Sequence, residues 1–243
     1  AEIEAIDRMC RFAEFTGARV MIFHVSTREG AEIIRQARAR GVMVQAETCP
    51  HYLFMTEDIL ASENPARFMC SPPQRGTDDQ AALWEAMADG TIELITSDHA
   101  PYRMDASGKF AHGENAPFNQ IANGMPGLET RLPLMFSAMV SEGRMGVEAF
   151  AKVTATAPAR AFGLDGKGAI AEGFDADLAI WDPEASYTYG ADDLHDNTGY
   201  NPFEGTTVKG MPRHVLSRGE LLVRDRALVT EAPRGRWLPM RAG

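Results

Sequence analysis

Two side chains that could bind a metal or carry a proton each follow a short apolar run of the chain. His24 follows the run at 18–23, and Asp98 follows the run at 92–96. A neutral imidazole nitrogen can hold zinc, and a carboxylate can bind a metal and transfer a proton. Taken alone, however, His24 could be a hydrogen-bonded structural histidine, and Asp98 could be a helix or turn cap. The hypothesis therefore depends on the elements that position the two residues.

Strands and helices are expected to alternate around these residues. Apolar residues at helical spacing predict helices at the start of the chain, after His24 and from about Asp79 to Ala88. Apolar, β-branched runs predict strands at 18–23, 42–47 and 92–96. Such alternation is typical of parallel α/β architecture, in which functional side chains gather at the carboxyl ends of the strands. His24 and Asp98 both lie at such ends.

The pattern changes near Gly163. Before it, residues 125–161 have helical spacing, whereas short alternating strands are predicted after it at 168–173, 176–181 and 215–229, with a turn near 224–226. We therefore predict an α/β domain over residues 1–162 and a β-rich segment over 163–243. Only about three barrel-type strands are visible, and a closed (β/α)₈ barrel needs eight, so this chain is not expected to close such a barrel alone.

The composition argues against several classes of protein. The 243 residues carry a net charge of −10, which would repel a phosphate backbone, so no nucleic acid is expected as a partner. No apolar run approaches the roughly eighteen residues of a membrane span, and no signal-peptide pattern opens the chain. The three cysteines have no CxxC pairing and are expected to be reduced thiols. We expect a cytoplasmic protein without a membrane partner.

Six short motifs lie in one order along the chain. They are Phe23-His24-Val25-Ser26, Glu47-Thr48-Cys49-Pro50-His51-Tyr52-Leu53, Ser71-Pro72-Pro73-Gln74-Arg75, Ser97-Asp98-His99, Asn123 through Arg131, and Lys167 through Leu178. Their order resembles the cyclic amidohydrolase family, and the stretch at 200–205 looks specifically like the tail of dihydropyrimidinases and hydantoinases. This resemblance implies the C-terminal part of a (β/α)₈ TIM barrel, followed by strands of a small β-sandwich domain.

The resemblance also implies a divalent metal pair as cofactor, with Zn²⁺ or Mn²⁺ as the metal. In that family a carboxylated lysine bridges the two ions, and four histidines and one aspartate complete the protein ligands. By position, His24 matches a metal-binding histidine and Asp98 matches the metal-binding aspartate, which is also the catalytic proton carrier. The other ligands, including the carboxylated lysine, would lie upstream of Ala1. Two ligands alone are too few for tight binding of two metals.

Three further residues are candidates for substrate binding or for positioning of Asp98. Ser71 and Asn123 match substrate-binding contacts to the imide-like edge of a ring, although residues beside Pro72 and Gly124 are equally suited to turns. His99 could orient the carboxylate of Asp98 from outside the metal shell, or it could simply pack.

The implied reaction opens a dihydropyrimidine or hydantoin ring to an N-carbamoyl amino acid. The expected partners are this small cyclic amide and further copies of the chain, since the family resemblance implies a tetramer. Allantoinase or dihydroorotase activity is one alternative, and a non-catalytic dihydropyrimidinase-related scaffold is another. Retention of His24 and Asp98 favours an enzyme, and the 200–205 tail favours a hydantoinase or dihydropyrimidinase. Residues 1–243 alone are expected to be inactive.

Overall fold

The computed structural model describes residues 1–230 and 233–240, and it divides into two compact units. The first unit consists of Ala1–Arg131 and Tyr189–Gly205, and the second consists of Leu132–Thr188 and Thr206–Gly243. The domain boundary near 163 stays a prediction. Residues 231–232 and 241–243 of the predicted β-rich segment lie outside the described residues. No helix in the described part of the chain is long and apolar enough to cross a membrane.

A three-stranded parallel sheet forms the centre of the first unit. Its strands, in sheet order, are β1 (Val20–Ile22), β2 (Val44–Thr48) and β3 (Leu94–Ile95). Its helices are α1 (Glu2–Thr16), α2 (Arg28–Ala39), α3 (Pro50–Phe54) and α4 (Thr77–Ala88), with 3₁₀ turns at Glu57–Ala61, Pro65–Phe68 and Phe118–Gln120. The predicted parallel strands are confirmed, although β1 and β3 are shorter than the apolar runs that predicted them.

Local sequence explains where the second helix of this unit begins and which face it buries. Thr27 caps α2, since its side chain accepts a hydrogen bond from the backbone N–H of Gly30 at 3.2 Å. Ile34 and Ala37, three residues apart on one face of α2, are fully buried. The cap fixes where α2 begins and the apolar face fixes how α2 packs, so together they position the end of the loop between β1 and α2 that contains His24.

The second unit combines interrupted helices with a four-stranded antiparallel sheet. The chain enters this unit within α5 (Leu128–Phe136), which is followed by α6 (Val147–Ala151) and α7 (Ala157–Ala161), with π-helical turns at Ser137–Ser141 and Lys152–Thr156. The sheet contains β4 (Leu178–Thr188), β5 (Thr207–Ser217), β6 (Glu220–Arg224) and β7 (Ala227–Leu228), in that order. The helical prediction for 125–161 is confirmed in kind, although the structure contains several short helices.

One strand prediction in this unit is wrong. Residues 168–173 form turns rather than a strand, because Gly168 and Gly173 have φ angles of 80° and 83°, which an extended strand does not contain. The predicted turn near 224–226 is confirmed, since Asp225 and Arg226 join β6 to β7. A second turn, at Arg218 and Gly219, joins β5 to β6 and was missed by the prediction.

Aromatic rings pack together inside the second unit. Phe136 and Trp181 stack with their ring centroids 4.2 Å apart. Phe150 meets both rings edge-on, at 5.4 Å from Phe136 and 5.5 Å from Trp181. Offset and edge-on ring pairs add to the free energy gained by burying apolar surface. The core of this unit is therefore aromatic.

Candidate active site

His24 and Asp98 lie just beyond the carboxyl ends of β1 and β3, in the same unit. Both are half-buried, and both have positive φ angles, of 47° for His24 and 43° for Asp98. A positive φ is uncommon for a residue other than glycine, and such strain concentrates at functional sites. The two backbone conformations therefore set these residues apart from ordinary strand ends, and no sequence pattern had indicated them.

The electrostatics of the site link these two side chains. Burial raises the pKa of Asp98, while the charge of His24 acts in the opposite direction. The two side chains are thus close enough to influence each other. Burial also lowers the pKa of His51 to about 3, with a smaller contribution from the charge of His24, so His51 is neutral near pH 7.

The donor types present fit part of a metal site. His24 offers an imidazole nitrogen and Asp98 a carboxylate, both of which Zn²⁺ accepts as ligands. Among the described residues, no three His, Cys, Asp or Glu side chains form a group that could hold a metal. Two donors are fewer than the three or four protein ligands that a zinc site normally contains.

Glu47, at the carboxyl end of β2, joins the segments that contain the two candidate ligands. Its side chain is only 1% exposed. Its Oε2 accepts the backbone N–H of His24 at 2.6 Å, and its Oε1 accepts the hydroxyl of Thr96 and the thiol of Cys49. Burial raises the pKa of the Glu47 carboxyl, and these hydrogen bonds oppose the rise. Glu47 belongs to one of the six motifs, and no local sequence pattern indicated a role for it.

Ser71 and Asn123 are brought together by the structure. The amide nitrogen of Asn123 donates to the hydroxyl of Ser71 at 2.6 Å, and both side chains are exposed. Ser71 also lines a cavity of about 670 Å³ together with His24, and a second cavity, of about 750 Å³, together with Asn123. Ser71 therefore shares a cavity with the candidate metal ligand His24, and Asn123 is hydrogen-bonded to Ser71.

A close backbone approach holds the loop that contains Asn123. Gly124 has a φ of 139°, and a Cβ there would lie 2.3 Å from the Cβ of Ala100. The N–H of Ala100 donates to the carbonyl of Met125 at 2.9 Å. Only glycine fits this conformation and this contact, so the Asn123 loop is tied to the segment that follows Asp98.

His99 lies at the start of α5. Its Nδ1 accepts the backbone N–H groups of Gly127 and Leu128 at 3.2 and 3.3 Å. Since Nδ1 accepts these bonds, a neutral His99 ring carries its proton on Nε2. His99 thus connects the segment of Asp98 to the segment that follows Asn123, and a direct action on the Asp98 carboxylate stays a prediction.

Lys109 supports the same loop from within the protein. Its side chain is fully buried, and its Nζ donates to the carbonyl of Ala122, the residue before Asn123, at 3.0 Å. Burial lowers the pKa of Lys109 to about 8. Lys109 was not predicted to be buried, because a lysine in a polar loop is normally expected at the surface.

The fold and the site together define a class of protein. A parallel α/β sheet with metal-binding types of side chain at its carboxyl ends is the arrangement of barrel enzymes that bind metals there. Residues 9–222 match the model of the amidohydrolase family. The chain belongs to the amidohydrolase family, whose members are generally binuclear metal enzymes.

Curated relatives sharpen the family assignment. A D-hydantoinase from Ralstonia pickettii is 38% identical over 245 residues, which cover 99% of this chain and 52% of that protein. A D-phenylhydantoinase from Escherichia coli is 39% identical over 239 residues, which cover 98% of this chain and 51% of that protein. The chain therefore spans about half the length of the curated relatives it matches.

Solved structures agree with this assignment. The crystal structure of a dihydropyrimidinase from Brevibacillus agri matches with a TM-score of 0.89 at 36% identity, over 93% of this chain and 49% of that one. An L-hydantoinase from Arthrobacter aurescens matches with a TM-score of 0.89 at 31% identity, over 98% and 52% of the two chains. These TIM-barrel amidohydrolases confirm the fold class and the resemblance drawn from the six motifs.

Proposed function

We propose that this chain is part of a metal-dependent hydrolase that opens a cyclic amide, a dihydropyrimidine or a hydantoin, to an N-carbamoyl amino acid. One observation carries the proposal: in a chain of the amidohydrolase family, His24 and Asp98 lie just beyond the carboxyl ends of the two outer strands of one parallel sheet, and both have positive φ angles. The names of the D-hydantoinase and dihydropyrimidinase relatives support the substrate class.

The cofactor proposed is a pair of divalent metals, Zn²⁺ or Mn²⁺. His24 and Asp98 would hold it from this chain, and the remaining ligands, including a carboxylated lysine, would come from sequence outside residues 1–243. When bound, such a metal pair activates water as a nucleophile and polarises the amide carbonyl. Because this chain provides two donors, we expect residues 1–243 alone to show little or no turnover.

Residues of this chain have the other roles in the reaction: proton transfer, substrate binding and positioning. Asp98 accepts a proton from the attacking water and delivers it to the ring nitrogen as the C–N bond breaks. Ser71 and Asn123 bind the imide-like edge of the ring, which the hydrogen bond between them and the cavity shared by Ser71 and His24 support. His99 fixes the segment of Asp98 relative to the segment of Asn123. We propose further that the protein assembles from identical chains into a homo-oligomer in the cytoplasm.

The test compares Asp98→Asn and His24→Ala in the full-length protein. Asp98→Asn removes a proton carrier that acts in the transition state, so kcat should fall by about 10²- to 10⁴-fold while KM changes far less. Asparagine keeps the size and one oxygen donor, so some metal should remain. His24→Ala should mainly empty one metal position. Steady-state kinetics with dihydrouracil and a substituted hydantoin, measured beside elemental analysis, separate the two effects.

A matched control is available at the opposite end of the same strand. Glu93 precedes β3 and pairs with Arg38 at 2.9 Å, so Glu93→Gln changes a carboxylate without reaching the candidate site. It should leave kcat and metal content unchanged. Near-normal turnover of Asp98→Asn with full metal occupancy would show that Asp98 is not the proton carrier. A wild-type protein that hydrolyses neither substrate and binds no metal would favour a non-catalytic scaffold instead.

A further inference from the structure

We propose that Glu47 is a positioning residue that holds the backbone at both candidate metal ligands in the conformation that metal binding needs. The inference rests on the proposed function and adds a residue to it. Glu47 lies on β2, the middle strand of the three, with β1 and His24 on one side and β3 and Asp98 on the other. A single side chain at this place can reach both ligand segments.

On the β1 side, Glu47 fixes the backbone at His24. Its Oε2 accepts the His24 N–H at 2.6 Å, while its own carbonyl accepts the N–H of Val25 at 2.9 Å. These two bonds hold the turn in which His24 has its φ of 47°. A left-handed backbone is unfavourable for a residue with a Cβ, so surrounding bonds are needed to maintain it.

On the β3 side, Glu47 acts through Thr96. Its Oε1 accepts the Thr96 hydroxyl, and the Thr96 N–H donates to the carbonyl of Thr48 at 3.1 Å. Thr96 lies two residues before Asp98, whose φ is 43°. The Glu47 carboxylate thus restrains the chain immediately before the second strained residue.

The chemistry of these contacts argues against a purely stabilising role. Burying a carboxylate is costly unless its oxygens are hydrogen-bonded, and its three partners, on His24, Thr96 and Cys49, are all neutral donors. An apolar side chain would fill the same space at lower cost in desolvation. A buried carboxylate at position 47 is explained if one hydrogen-bond acceptor must hold the His24 segment and the Asp98 segment at the same time.

The test measures metal affinity, with metal-buffered titration of the full-length apoprotein by Zn²⁺ and by Mn²⁺. Glu47→Met keeps the approximate volume and removes both oxygens, so metal affinity should fall by about 10- to 100-fold, as when an outer partner of a ligand is lost. Glu47→Gln is the rescue variant. Its amide oxygen can accept the His24 N–H while its NH₂ donates to the Thr96 hydroxyl, so affinity should stay near the native value.

Arg38→Met provides the control for stability. Arg38 joins β2 to the segment before β3 at the other end of the sheet, because it donates to the carbonyls of Val44 and Gly90, both at 2.7 Å. This variant should lower the denaturation temperature and leave metal affinity unchanged. Equal losses of metal affinity in Arg38→Met and Glu47→Met would overturn the proposal, because Glu47 would then matter only for stability.

A milder variant covers the case in which Glu47→Met does not fold. Thr96→Val has nearly the same shape and leaves the Glu47–His24 bond intact. It removes the hydroxyl that donates to Glu47 and lies 3.8 Å from the Cys49 thiol, so metal affinity should fall by less than in Glu47→Met. A folded Thr96→Val or Glu47→Met protein with native affinity would overturn the proposal. His24→Ala and Asp98→Asn separate the two levels: if neither of these weakens metal binding, the proposed function itself fails, whatever Glu47 does.

Discussion

The two units differ in what they bury. Among the buried polar side chains that the structure describes, all but Ser137 belong to the first unit, and they include Glu47 and Lys109. The second unit buries aromatic rings such as Phe136 and carries ion pairs such as Arg213–Asp225 on exposed side chains. Since buried polar groups cost free energy unless they are paired, their concentration in the first unit indicates a constraint other than stability.

The same contrast applies to strained backbone. In the second unit, Arg218, Asp225 and Arg226 have positive φ angles within hairpin turns, where tight turns require such a conformation. In the first unit, His24 and Asp98 have similar angles between a parallel strand and the next segment, where no hairpin requires them. The positive φ angles of the hairpin residues are therefore explained by chain reversal. Those of His24 and Asp98 are explained by the side chains that these residues present.

The largest change in the free energy of unfolding is expected from disturbing the aromatic core of the second unit. Gly210 has a φ of 93°, and a Cβ there would lie 2.2 Å from a ring carbon of Phe136. Gly210→Ala should lower the free energy of unfolding by about 3 kcal/mol or more, since left-handed strain adds to overpacking. Urea denaturation of the full-length protein, monitored by fluorescence, measures the change.

Gly219→Ala separates the two contributions. Gly219 has a φ of 79°, similar to that of Gly210, but a Cβ there would meet nothing within 4 Å. This variant should lose only the strain, about 1–2 kcal/mol. If both alanine variants lost the same free energy, the contact with Phe136 would carry no weight, and the aromatic core would be less closely packed than the structure indicates.

A smaller, pH-dependent change in the free energy of unfolding is expected from the buried lysine of the first unit. The pKa of Lys109 is lowered to about 8 from 10.5, so between these values the unfolded state binds more protons than the folded one. Stability should therefore rise with pH from about 8 to 10.5, by up to about 3 kcal/mol. The difference in unfolding free energy between wild type and Lys109→Met, followed across this range, isolates the effect.

Lys152→Met is the control for this measurement, because Lys152 is exposed on the helical part of the second unit. Its stability should follow wild type at every pH. A pH dependence of Lys109→Met identical to that of wild type would mean that Lys109 remains hydrated and charged in the folded protein. The polar burial of the first unit would then be less complete than the comparison of the two units implies.

Sequence analysis predicted the parts of the fold that depend on periodicity, and it missed those that depend on backbone geometry. Apolar runs located all three parallel strands, and their ends pointed to His24 and Asp98. The run at 168–173 failed because alternation between two glycines does not exclude a turn. Glu47 was not assigned a role because its contacts reach residues 23 and 49 positions away, which no local pattern encodes.

The smallest effect is expected from an ion pair on the antiparallel sheet. The Nε of Arg213 lies 2.6 Å from a carboxylate oxygen of Asp225, and the pairing lowers the pKa of that carboxyl. Both side chains are more than half exposed, so water and salt screen the attraction, and holding two long side chains together costs entropy. Arg213→Gln should shift the denaturation temperature by less than about 2 °C, and added salt should make that shift smaller. Arg38→Met, at a partly buried pair beside the parallel sheet, should shift it further, since only 25% of the Arg38 side chain is exposed. Equal shifts for the two variants would contradict the view that burial of the arginine side chain determines how much each pair contributes to stability.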